Sequence, residues 1–374
     1  MLFGKKKDGK ITREKVLAAL SHVDDPDLKK DLVTLGMIED LTIDGNKIGF
    51  SVVLTTPACP MKDHIQNACL NAIKLMVDKD AEVEINMTSK VTSFLDEDNS
   101  LPGIKNIIAI SSGKGGVGKS TIAANLAVSL ANMGAKVGLI DADIYGPSMP
   151  IMFGFQGERA MLEQVGEKEM LVPFEHHGVK VMSIGTIVSP EQAVVWRGPM
   201  ASKALRQLIF DTNWGEIDYL LVDLPPGTGD IHLTIVQVLA ITGAVVITTP
   251  QQVAVADALK GAQMFLSRPI NVPILGVVEN MAYFVPEDQP EKKYHIFGEN
   301  GGAELAQAVG APLLGQIPIL QAIAENADLG KPVAIYKDGK LGKVYTSLAQ
   351  SLAQQVAMRN AQVPPSQRVE ILHK

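Results

Sequence analysis

Short apolar runs rich in β-branched residues alternate with helical patterns through most of the chain beyond residue 104. Such runs are typical of strands buried on both faces, and their alternation with helices indicates crossover connections between parallel strands. The pattern predicts an α/β fold with a mainly parallel, doubly wound sheet, whose ligands lie at the carboxyl ends of the strands. The predicted strands are Ile107–Ile110, Lys136–Ile140, Val179–Ile184, Tyr219–Val222, Ala244–Thr249 and Ile274–Val278.

The amino-terminal part of the chain has a different pattern, in which a helix, strands, a second helix and further strands follow one another. This order predicts a small α+β domain over residues 1–95. A polar stretch ending in Pro102-Gly103 predicts a linker over 96–103, before an α/β domain over 104–363 and a polar tail over 364–374. The predicted elements of the small domain are Thr12–Ser21, Leu41–Ile43, Lys47–Leu54, Met61–Val77 and Ala81–Val91.

The stretch Leu233–Ala256 carries no charge, which by length alone is compatible with a membrane span. Gly243 and Pro250 interrupt it, so a helix to Ile241 followed by the buried strand Ala244–Thr249 fits better. Near the carboxyl end, Val344–Met358 has a helical pattern without the cationic face of a membrane anchor. We therefore expect no membrane association.

Composition supports a globular protein: 46% of the 374 residues are hydrophobic and 20% are charged. The net charge of -7, without an extended basic face, argues against binding to nucleic acid or anionic membranes. The two cysteines do not suggest a disulfide framework, which favours a reducing compartment. We expect a cytoplasmic protein.

Residues 113–121 read Gly-Lys-Gly-Gly-Val-Gly-Lys-Ser-Thr and lie between strand Ile107–Ile110 and the helical pattern Thr121–Met133. This is the spacing of a phosphate-binding loop, whose glycines let N–H groups point at phosphates while the helix adds its positive end. Lys119 is expected to reach the β- and γ-phosphates and Ser120 to ligate Mg²⁺. The alternative is a glycine-rich turn without a ligand. The predicted nucleotide-binding residues here are Gly113, Gly115, Gly116, Val117, Gly118, Lys119, Ser120 and Thr121.

Carboxylates follow two of the predicted strands. Asp141 and Asp143 end the strand Lys136–Ile140, and we expect Asp143 to orient an attacking water and Asp141 to support the outer shell of Mg²⁺. The alternative for both is a helix-cap or turn aspartate. Asp223 ends a later apolar run in the manner of a Walker B strand, and would hold Mg²⁺ through water. Gly227 would bring a backbone N–H to the γ-phosphate, so its loop is a candidate switch.

Lys114 occupies a loop position for which the general phosphate-loop motif specifies no residue. It is either a solvated side chain or a functional cation. With Lys114 the loop resembles the deviant Walker A loop of the MinD, ParA and nitrogenase iron protein superfamily. That resemblance implies an ATPase in which ATP closes a homodimer and Lys114 reaches the partner's nucleotide as a second cation on the transferred phosphoryl group.

Further motifs lie between residue 104 and about residue 320: Trp214, Ile217–Asp223, Pro225–Thr228 and Asp230, with Val195–Met200 and Val278–Met281. Together they resemble the Mrp/ApbC family of iron-sulfur cluster carrier ATPases. The resemblance implies that Asn280 reads the base edge of the nucleotide, although a turn asparagine is the alternative.

Three segments of the amino-terminal domain carry a second resemblance: Asp25–Leu28, Asp31–Met37 and Thr55–Pro60. They resemble the small domain of iron-sulfur assembly factors, which many bacterial Mrp proteins carry fused to the ATPase.

The chain departs from the Mrp/ApbC pattern in its cysteines. The family normally holds a C-x-x-C pair after the segment Val278-Glu279-Asn280-Met281, whereas the only thiols here are Cys59 and Cys69. Cys59 precedes a predicted helix whose amide dipoles are expected to lower its pKa, which suits a cluster or metal ligand; an inert thiol is the alternative. Cys69 falls on the apolar positions of that helix and is expected in the core. Glu291 and His295 are also candidate ligands but are expected to be surface residues. His176 and His177 lack the spacing of metal ligands.

The motifs lead to two functional hypotheses. The first is an ATP- and Mg²⁺-dependent homodimer that binds an iron-sulfur cluster and transfers it to apoproteins, or works with assembly factors. The second is an ATP-driven dimerisation switch that recruits partners without binding a cluster, which the missing C-x-x-C pair favours.

Overall fold

The structure is a computed structural model that describes residues 11–93, 101–187, 198–286 and 288–364. Within it the chain divides into two units, residues 1–92 and residues 93–374. Most of the predicted linker, the predicted polar tail after residue 364 and residues 195–197 of the predicted Val195–Met200 motif lie outside the described residues.

The first unit is a three-stranded sheet covered by two helices. The central strand β4 pairs antiparallel with β3 and parallel with β5. Every second residue of β4 from Ile48 to Leu54 enters the core, as expected for a strand with one buried face. Helix α2 buries Ile65, Cys69 and Ile73 at a spacing of four, which places the three side chains on one face. The elements are α1 Arg13–Leu20, β1 Asp24–Asp25, β2 Lys30–Asp31, β3 Ile38–Asp44, β4 Lys47–Leu54, α2 Lys62–Met76 and β5 Glu82–Ser89.

The second unit is built on an eight-stranded sheet with strand order β10-β11-β7-β12-β6-β13-β14-β15. Each neighbouring pair is parallel except β10 with β11 at the edge. The strands of this sheet are β6 Ile107–Ser112, β7 Val137–Asp141, β10 Phe174–His176, β11 Val179–Ser183, β12 Tyr219–Asp223, β13 Gly243–Thr248, β14 Ile274–Glu279 and β15 Leu313–Gln316. Two further strands of the second unit, β8 Leu162–Val165 and β9 Lys168–Leu171, lie outside it.

Helices cover this sheet on both faces. Ile107 and Ala109 of β6 belong to a hydrophobic cluster with α5 and α6, whereas α3 packs against β7, β12 and α10. The helices are α3 Lys119–Asn132, α4 Met149–Met152, α5 Gly198–Phe210, α6 Asp230–Val238, α7 Gln252–Leu266, α8 Gly301–Val309, α9 Gln321–Asp328 and α10 Lys340–Gln362. This architecture confirms the predicted doubly wound α/β fold preceded by a small α+β domain.

The sequence pattern missed the shortest strands. β8 and β9 form a separate antiparallel ribbon that is mostly exposed, so no buried face marks it in the sequence. The edge strands β10 and β15 have only three and four residues. The uncharged stretch predicted as a helix and a buried strand forms α6 and β13, with α6 ending at Val238 rather than Ile241. Among the described residues, no helix is long and apolar enough to cross a membrane.

Candidate functional site

The glycine-rich segment 113–121 forms the turn from β6, in the middle of the large sheet, into α3. Gly116 and Gly118 have φ angles of 81° and 83°, which other residues rarely adopt. Gly113 is constrained by space instead, because a Cβ there would lie 2.1 Å from the backbone carbon of Asp257 in α7. The loop encloses a cleft of about 240 Å³, which Asp143 and Pro226 also line. Its shape and position are those of a phosphate-binding loop.

Lys119 begins α3 and forms a buried ion pair with Asp223, which ends β12. Its Nζ lies 2.6 Å from Oδ1 of Asp223 and also donates to Oγ of Ser120 at 3.2 Å. Oδ2 of Asp223 is buried and has no hydrogen-bond partner among the described residues. Burial raises the pKa of Asp223, and the ammonium group of Lys119 acts in the opposite direction. The pair brings the two predicted phosphate and magnesium residues into direct contact.

Asp141 is held by hydrogen bonds from the chain itself. Oδ1 accepts from the N–H of Asp143 at 3.3 Å. Oδ2 accepts three bonds, at 3.0, 3.1 and 3.0 Å, from the N–H groups of Ser148 and Met149 and the hydroxyl of Ser183. Burial, followed by the charge of Asp223, raises the pKa of Asp141 to about 7. Asp141 therefore fastens the loop after β7, and its magnesium role stays a prediction.

The predicted water-orienting and switch residues lie beside the phosphate loop. Asp143 is half-buried and lines the loop's cleft. Gly227 has a φ of 92°, as a tight turn after the Walker B strand requires, but its N–H donates to the carbonyl of Ser112 at 2.9 Å. A contact from this amide to a γ-phosphate would first require the bond to β6 to open.

Asn280 lies directly under the phosphate loop. It follows β14, is buried, and donates from Nδ2 to the carbonyl of Val117 at 2.8 Å. A Cβ on Gly118 would lie 2.2 Å from the same nitrogen. The amide therefore braces the loop in this structure, and base recognition by Asn280 stays a prediction.

Lys114 lines the cleft of the phosphate loop but does not join the network of Lys119 and Asp223. It is half-buried, and its ammonium group forms no hydrogen bond or ion pair with any described residue. Its carbonyl accepts from Ser112 Oγ at 3.1 Å, which fixes the backbone and leaves the side chain available. This arrangement is compatible with the predicted reach toward a partner's nucleotide.

Sequence reasoning missed His232, which lies in the first turn of α6, soon after the Walker B strand. Its side chain is 1% exposed, and neither ring nitrogen makes a hydrogen bond of ordinary geometry with a described residue, although backbone groups of Gly229 and Pro225 lie near enough to oppose the lowering of its pKa by burial. The available signal was a histidine in an otherwise apolar helical run that begins a few residues after Asp223.

Comparison with known proteins identifies the family. Residues 103–353 match the model described as NUBPL iron-transfer P-loop NTPase, and residues 13–85 match the model described as iron-sulfur cluster assembly protein. The chain belongs to the iron-sulfur cluster carrier family of P-loop NTPases. Both resemblances recognised in the sequence, to Mrp/ApbC proteins and to the assembly-type domain, are confirmed.

Individual carrier proteins align with nearly the whole chain. The iron-sulfur cluster carrier protein of Synechocystis sp. is 44% identical over 351 residues, which cover 93% of this chain and 99% of that protein. The carrier protein of Deinococcus radiodurans is 44% identical over 353 residues, covering 94% and 98%. A solved nucleotide-binding protein from Archaeoglobus fulgidus, in complex with ADP, is 37% identical with a TM-score of 0.53, covering 62% of this chain and 89% of its own.

In this carrier-family chain, the stretch after β14 forms a closed loop without thiols. Phe284 and Tyr294 form an antiparallel bridge across the loop, and their backbones exchange two hydrogen bonds of 2.8 Å. Lys293 Nζ lies 4.3 Å above the centre of the Tyr283 ring. His295 lies 3.6 Å from a carboxylate oxygen of Glu299. The described residues contain no group of three or more histidine, cysteine or acidic side chains arranged to hold a metal ion.

The structure corrects the pKa expected for Cys59. Burial raises the pKa of this thiol, the charges of Asp27 and Asp25 add to the increase, and the N–H of Met61 opposes it. The expectation of a lowered pKa was wrong because burial outweighs the amide at the helix start. Cys69 is fully buried in the core as predicted, and burial raises its pKa to about 12.

The histidines expected to lack metal partners take part in other contacts. The ring of His176 lies 5.4 Å from that of Phe155 between ring centres, tilted by 40°, and Nε2 of His177 lies 3.1 Å from the carbonyl of Gly330. Glu291 is exposed.

Proposed function

We propose that this carrier-family chain is an ATPase that works as a homodimer and gates an iron-sulfur cluster cargo by its nucleotide state. The observation that carries the ATPase part is the buried contact between Lys119 and Asp223 beneath a phosphate loop. A lysine beside an acidic Walker B strand supplies both the phosphate-binding cation and the metal-binding carboxylate. Besides Lys119 and Asp223, ATP hydrolysis then requires a group that orients the attacking water and a second cation.

The residues present fit Mg²⁺. Oδ2 of Asp223 is buried without a partner, and Ser120 Oγ lies beside the same cluster, so the two would hold the ion, directly from Ser120 and through water from Asp223. When bound, Mg²⁺ supplies charge neutralisation of the phosphates. Lys119 would exchange its contact with Asp223 for the β- and γ-phosphates. Asp143 would orient the attacking water from the rim of the cleft.

Lys114 would complete the site from the partner subunit. Its free ammonium group is the second cation that the deviant Walker A pattern requires, and a cation on the transferred group contributes a rate factor of about 10³ to 10⁵ in related phosphoryl transfers. ATP binding would then close the dimer, and hydrolysis would open it.

Cys59 is the thiol through which the chain would hold its cargo. The segment 104–363 contains no cysteine, and the second thiol, Cys69, is fully buried in the core of the first unit. Cys59 is only half-buried, so a cluster could reach its sulfur. Apoproteins that receive the cluster, in the cytoplasm, are the proposed partners.

The second candidate function is an ATP-driven dimerisation switch that recruits partners without a cluster. The closed loop around Phe284 and Tyr294 favours it, because this loop stands where the Mrp/ApbC resemblance implies a cysteine pair and its sequence contains no cysteine.

The ATPase is tested with two lysine variants. Lys119→Ala should lose ATP binding in calorimetry, whereas Lys114→Ala should bind ATP yet lose turnover and ATP-dependent dimerisation in analytical ultracentrifugation. Turnover equal to wild type in Lys114→Ala would remove the crossed-lysine mechanism. A wild-type chain that gives no heat with Mg-ATP would remove the ATPase assignment altogether.

The cargo is tested by anaerobic reconstitution, followed by measurement of iron and acid-labile sulfide per chain. The wild-type protein should turn brown, Cys59→Ser should stay colourless, and Cys69→Ala serves as the matched control that keeps the cargo. A colourless wild-type protein whose partners are captured only with ATP would establish the second candidate instead.

A further inference from the structure

One wall of the phosphate-loop cleft is formed by the loop after β7. Asp143, Gly146 and Ser148 of this loop line the cleft. Asp143 and Gly146 also line a second cleft of about 470 Å³, together with Ile231 and His232. The loop therefore borders both clefts, and its position decides where the carboxylate of Asp143 lies relative to a bound nucleotide.

Asp141, the last residue of β7, holds this loop through its carboxylate. The carboxylate accepts from the N–H groups of Asp143, Ser148 and Met149 at 3.3, 3.0 and 3.1 Å. A fourth hydrogen bond, of 3.0 Å, comes from the hydroxyl of Ser183. Since a carboxylate offers about four acceptor positions, groups of the chain itself satisfy Asp141 fully.

Ser183 is the donor among these four that lies outside the loop. It is fully buried, ends β11, and pairs directly with Asp141 in the parallel register of β11 and β7. Its hydroxyl also accepts from the N–H of Gly185 at 3.2 Å, and so caps the single 3₁₀ turn Ile184–Thr186. One hydroxyl therefore joins the sheet, the turn after β11 and the carboxylate that holds the loop.

The turn after β11 also packs directly against the loop and the start of α4. A Cβ on Gly185 would lie 3.3 Å from Cγ of Pro147 and equally far from Cγ of Pro150. These distances are shorter than an ordinary van der Waals contact, so there is no room for a methyl group between the turn and the two prolines. A hydrogen bond and a steric contact thus connect the end of β11 to the same wall of the cleft.

We propose that Ser183 is a positioning residue for ATP hydrolysis, which acts through Asp141 to hold Asp143 where it orients the attacking water. This inference rests on the proposed ATPase activity. Ser183 is not among the described residues that line either cleft, so its effect on turnover passes through the loop. A small displacement of a group that orients a reactant lowers the rate, even when the change occurs far from the reacting atoms.

The test removes the hydroxyl and compares kcat with nucleotide affinity. Ser183→Ala should lower kcat by about tenfold, while the Kd for a non-hydrolysable ATP analogue changes less than about threefold. Ser183→Thr keeps the hydroxyl and should recover most of kcat. Ser129→Ala is the matched control, because it removes a buried hydroxyl that makes no hydrogen bond with a described residue, and it should match wild type.

A second variant displaces the loop and keeps the hydroxyl. Gly185→Ala places a methyl group against Pro147 and Pro150 and should also lower kcat, with the affinity for the ATP analogue again nearly unchanged. Urea denaturation establishes that each variant is folded.

Binding of ADP with aluminium fluoride separates positioning from a general loss of structure. This complex imitates the transition state, so its affinity should fall in Ser183→Ala by the same factor as kcat. A merely structural role would weaken the ATP analogue and the aluminium fluoride complex alike. Calorimetry measures both affinities.

Ser183→Ala at wild-type kcat, or with equal losses of both affinities, would overturn the inference. If Ser183→Ala does not fold, wild-type turnover in Gly185→Ala would overturn it, because the position of the loop would then have no effect on hydrolysis. In each case hydrolysis by the wild-type chain, with loss of turnover in Lys114→Ala, would leave the ATPase assignment standing. A wild-type chain that binds ATP and never hydrolyses it would overturn both.

Discussion

Nζ of Lys119 lies 2.6 Å from Oδ1 of Asp223, with side-chain exposures of 6% and 0%. The contact exists because β6 and β12 are neighbours in the sheet, so the loops at their carboxyl ends meet. The lysine of the phosphate loop thus neutralises the carboxylate of Asp223. In the proposed function, ATP binding would replace one buried ion pair by another rather than fill a site of bare charges.

This pair predicts a strong imbalance between single and double variants. Lys119→Met should lower the free energy of unfolding by about 3 to 5 kcal/mol, because it leaves a buried carboxylate without its partner. Lys119→Met with Asp223→Leu should be at least about 2 kcal/mol more stable than Lys119→Met alone, since an apolar pair has no charge to compensate. Urea denaturation without nucleotide measures both.

The control for this cycle is a more exposed pair of similar length. Lys105 lies 2.8 Å from Asp218, with side-chain exposures of 31% and 11%. Lys105→Met should cost less than Lys119→Met, because Asp218 keeps the hydrogen bond that its Oδ2 accepts from the N–H of Lys136 at 2.9 Å. Asp223→Leu alone completes the cycle. If the losses in unfolding free energy of Lys119→Met and Asp223→Leu simply add in the double variant, the ion pair contributes no coupling energy and the predicted imbalance is wrong.

Two glycines of the phosphate loop separate backbone strain from steric conflict. Gly116 and Gly118 have nearly equal φ angles, 81° and 83°, but a Cβ on Gly116 would meet nothing within 4 Å, whereas one on Gly118 would lie 2.2 Å from Nδ2 of Asn280. Both alanine variants should lose about 1 to 2 kcal/mol from strain, and Gly118→Ala about 1 to 2 kcal/mol more because the bond from Asn280 to Val117 breaks.

The measurement is the unfolding midpoint in urea, with Asn280→Ala added to each glycine variant as the control. Added to Gly118→Ala, Asn280→Ala should remove the part of the stability loss that comes from the clash with Asn280. Added to Gly116→Ala, it should lower stability by the same amount as in the wild-type protein. Equal losses in the two single variants would show that Asn280 does not brace the loop.

The sequence predicted the framework of the site better than its internal contacts. Six parallel strands and the phosphate loop followed from local patterns, because buried strands are apolar throughout and the loop has fixed spacing. The bonds from Ser183 to Asp141, from Asn280 to Val117 and from Gly227 to Ser112 could not be predicted, since the two partners of each bond are distant in sequence. Local pattern identifies which residues reach the carboxyl edge of the sheet, and tertiary packing decides which of them are already bonded.

Cys59 and His232 show that the pKa of a side chain also cannot be predicted from the local sequence. A turn before a helix suggested a thiol of low pKa at Cys59, but burial and two nearby carboxylates decide the direction. His232 carried no motif at all, and only its burial marks it. Desolvation depends on the packed environment, which no local window of sequence contains.

His232 also predicts a pH dependence of stability. Its pKa is about 4 in the folded protein against an ordinary value of 6.5, so the ring is neutral in both states above pH 6.5. As pH falls below 6.5, the unfolded chain takes up the proton first, and stability is lost progressively until about pH 4. The loss over this window should reach about 3 kcal/mol, from about 1.4 kcal/mol per unit of pKa.

Chemical denaturation at a series of pH values from 7 to 4 checks this sign and magnitude. His232→Phe should remove that part of the slope, because phenylalanine takes up no proton in either state. Ile231→Val, which changes the same cleft without a titrating group, should keep the wild-type slope. A His232→Phe variant that loses stability with falling pH as steeply as wild type would place the titration elsewhere.

The two thiols predict slow, pH-dependent alkylation. Burial raises the pKa of Cys59, and Asp27 and Asp25 add to the increase, so little thiolate is present at neutral pH. Iodoacetamide should therefore modify Cys59 more slowly than a free thiol at pH 7.5, with a rate that still rises through pH 9. Asp27→Asn should speed the reaction by removing one of the opposing charges.

Cys69, fully buried with a pKa of about 12, should stay unmodified while the chain is folded, and Cys69→Ala should leave the rate of Cys59 alkylation unchanged. A rate that levels off below pH 8 would mean that the helix-start amide dominates after all, and that Cys59 is already a thiolate before any cargo binds.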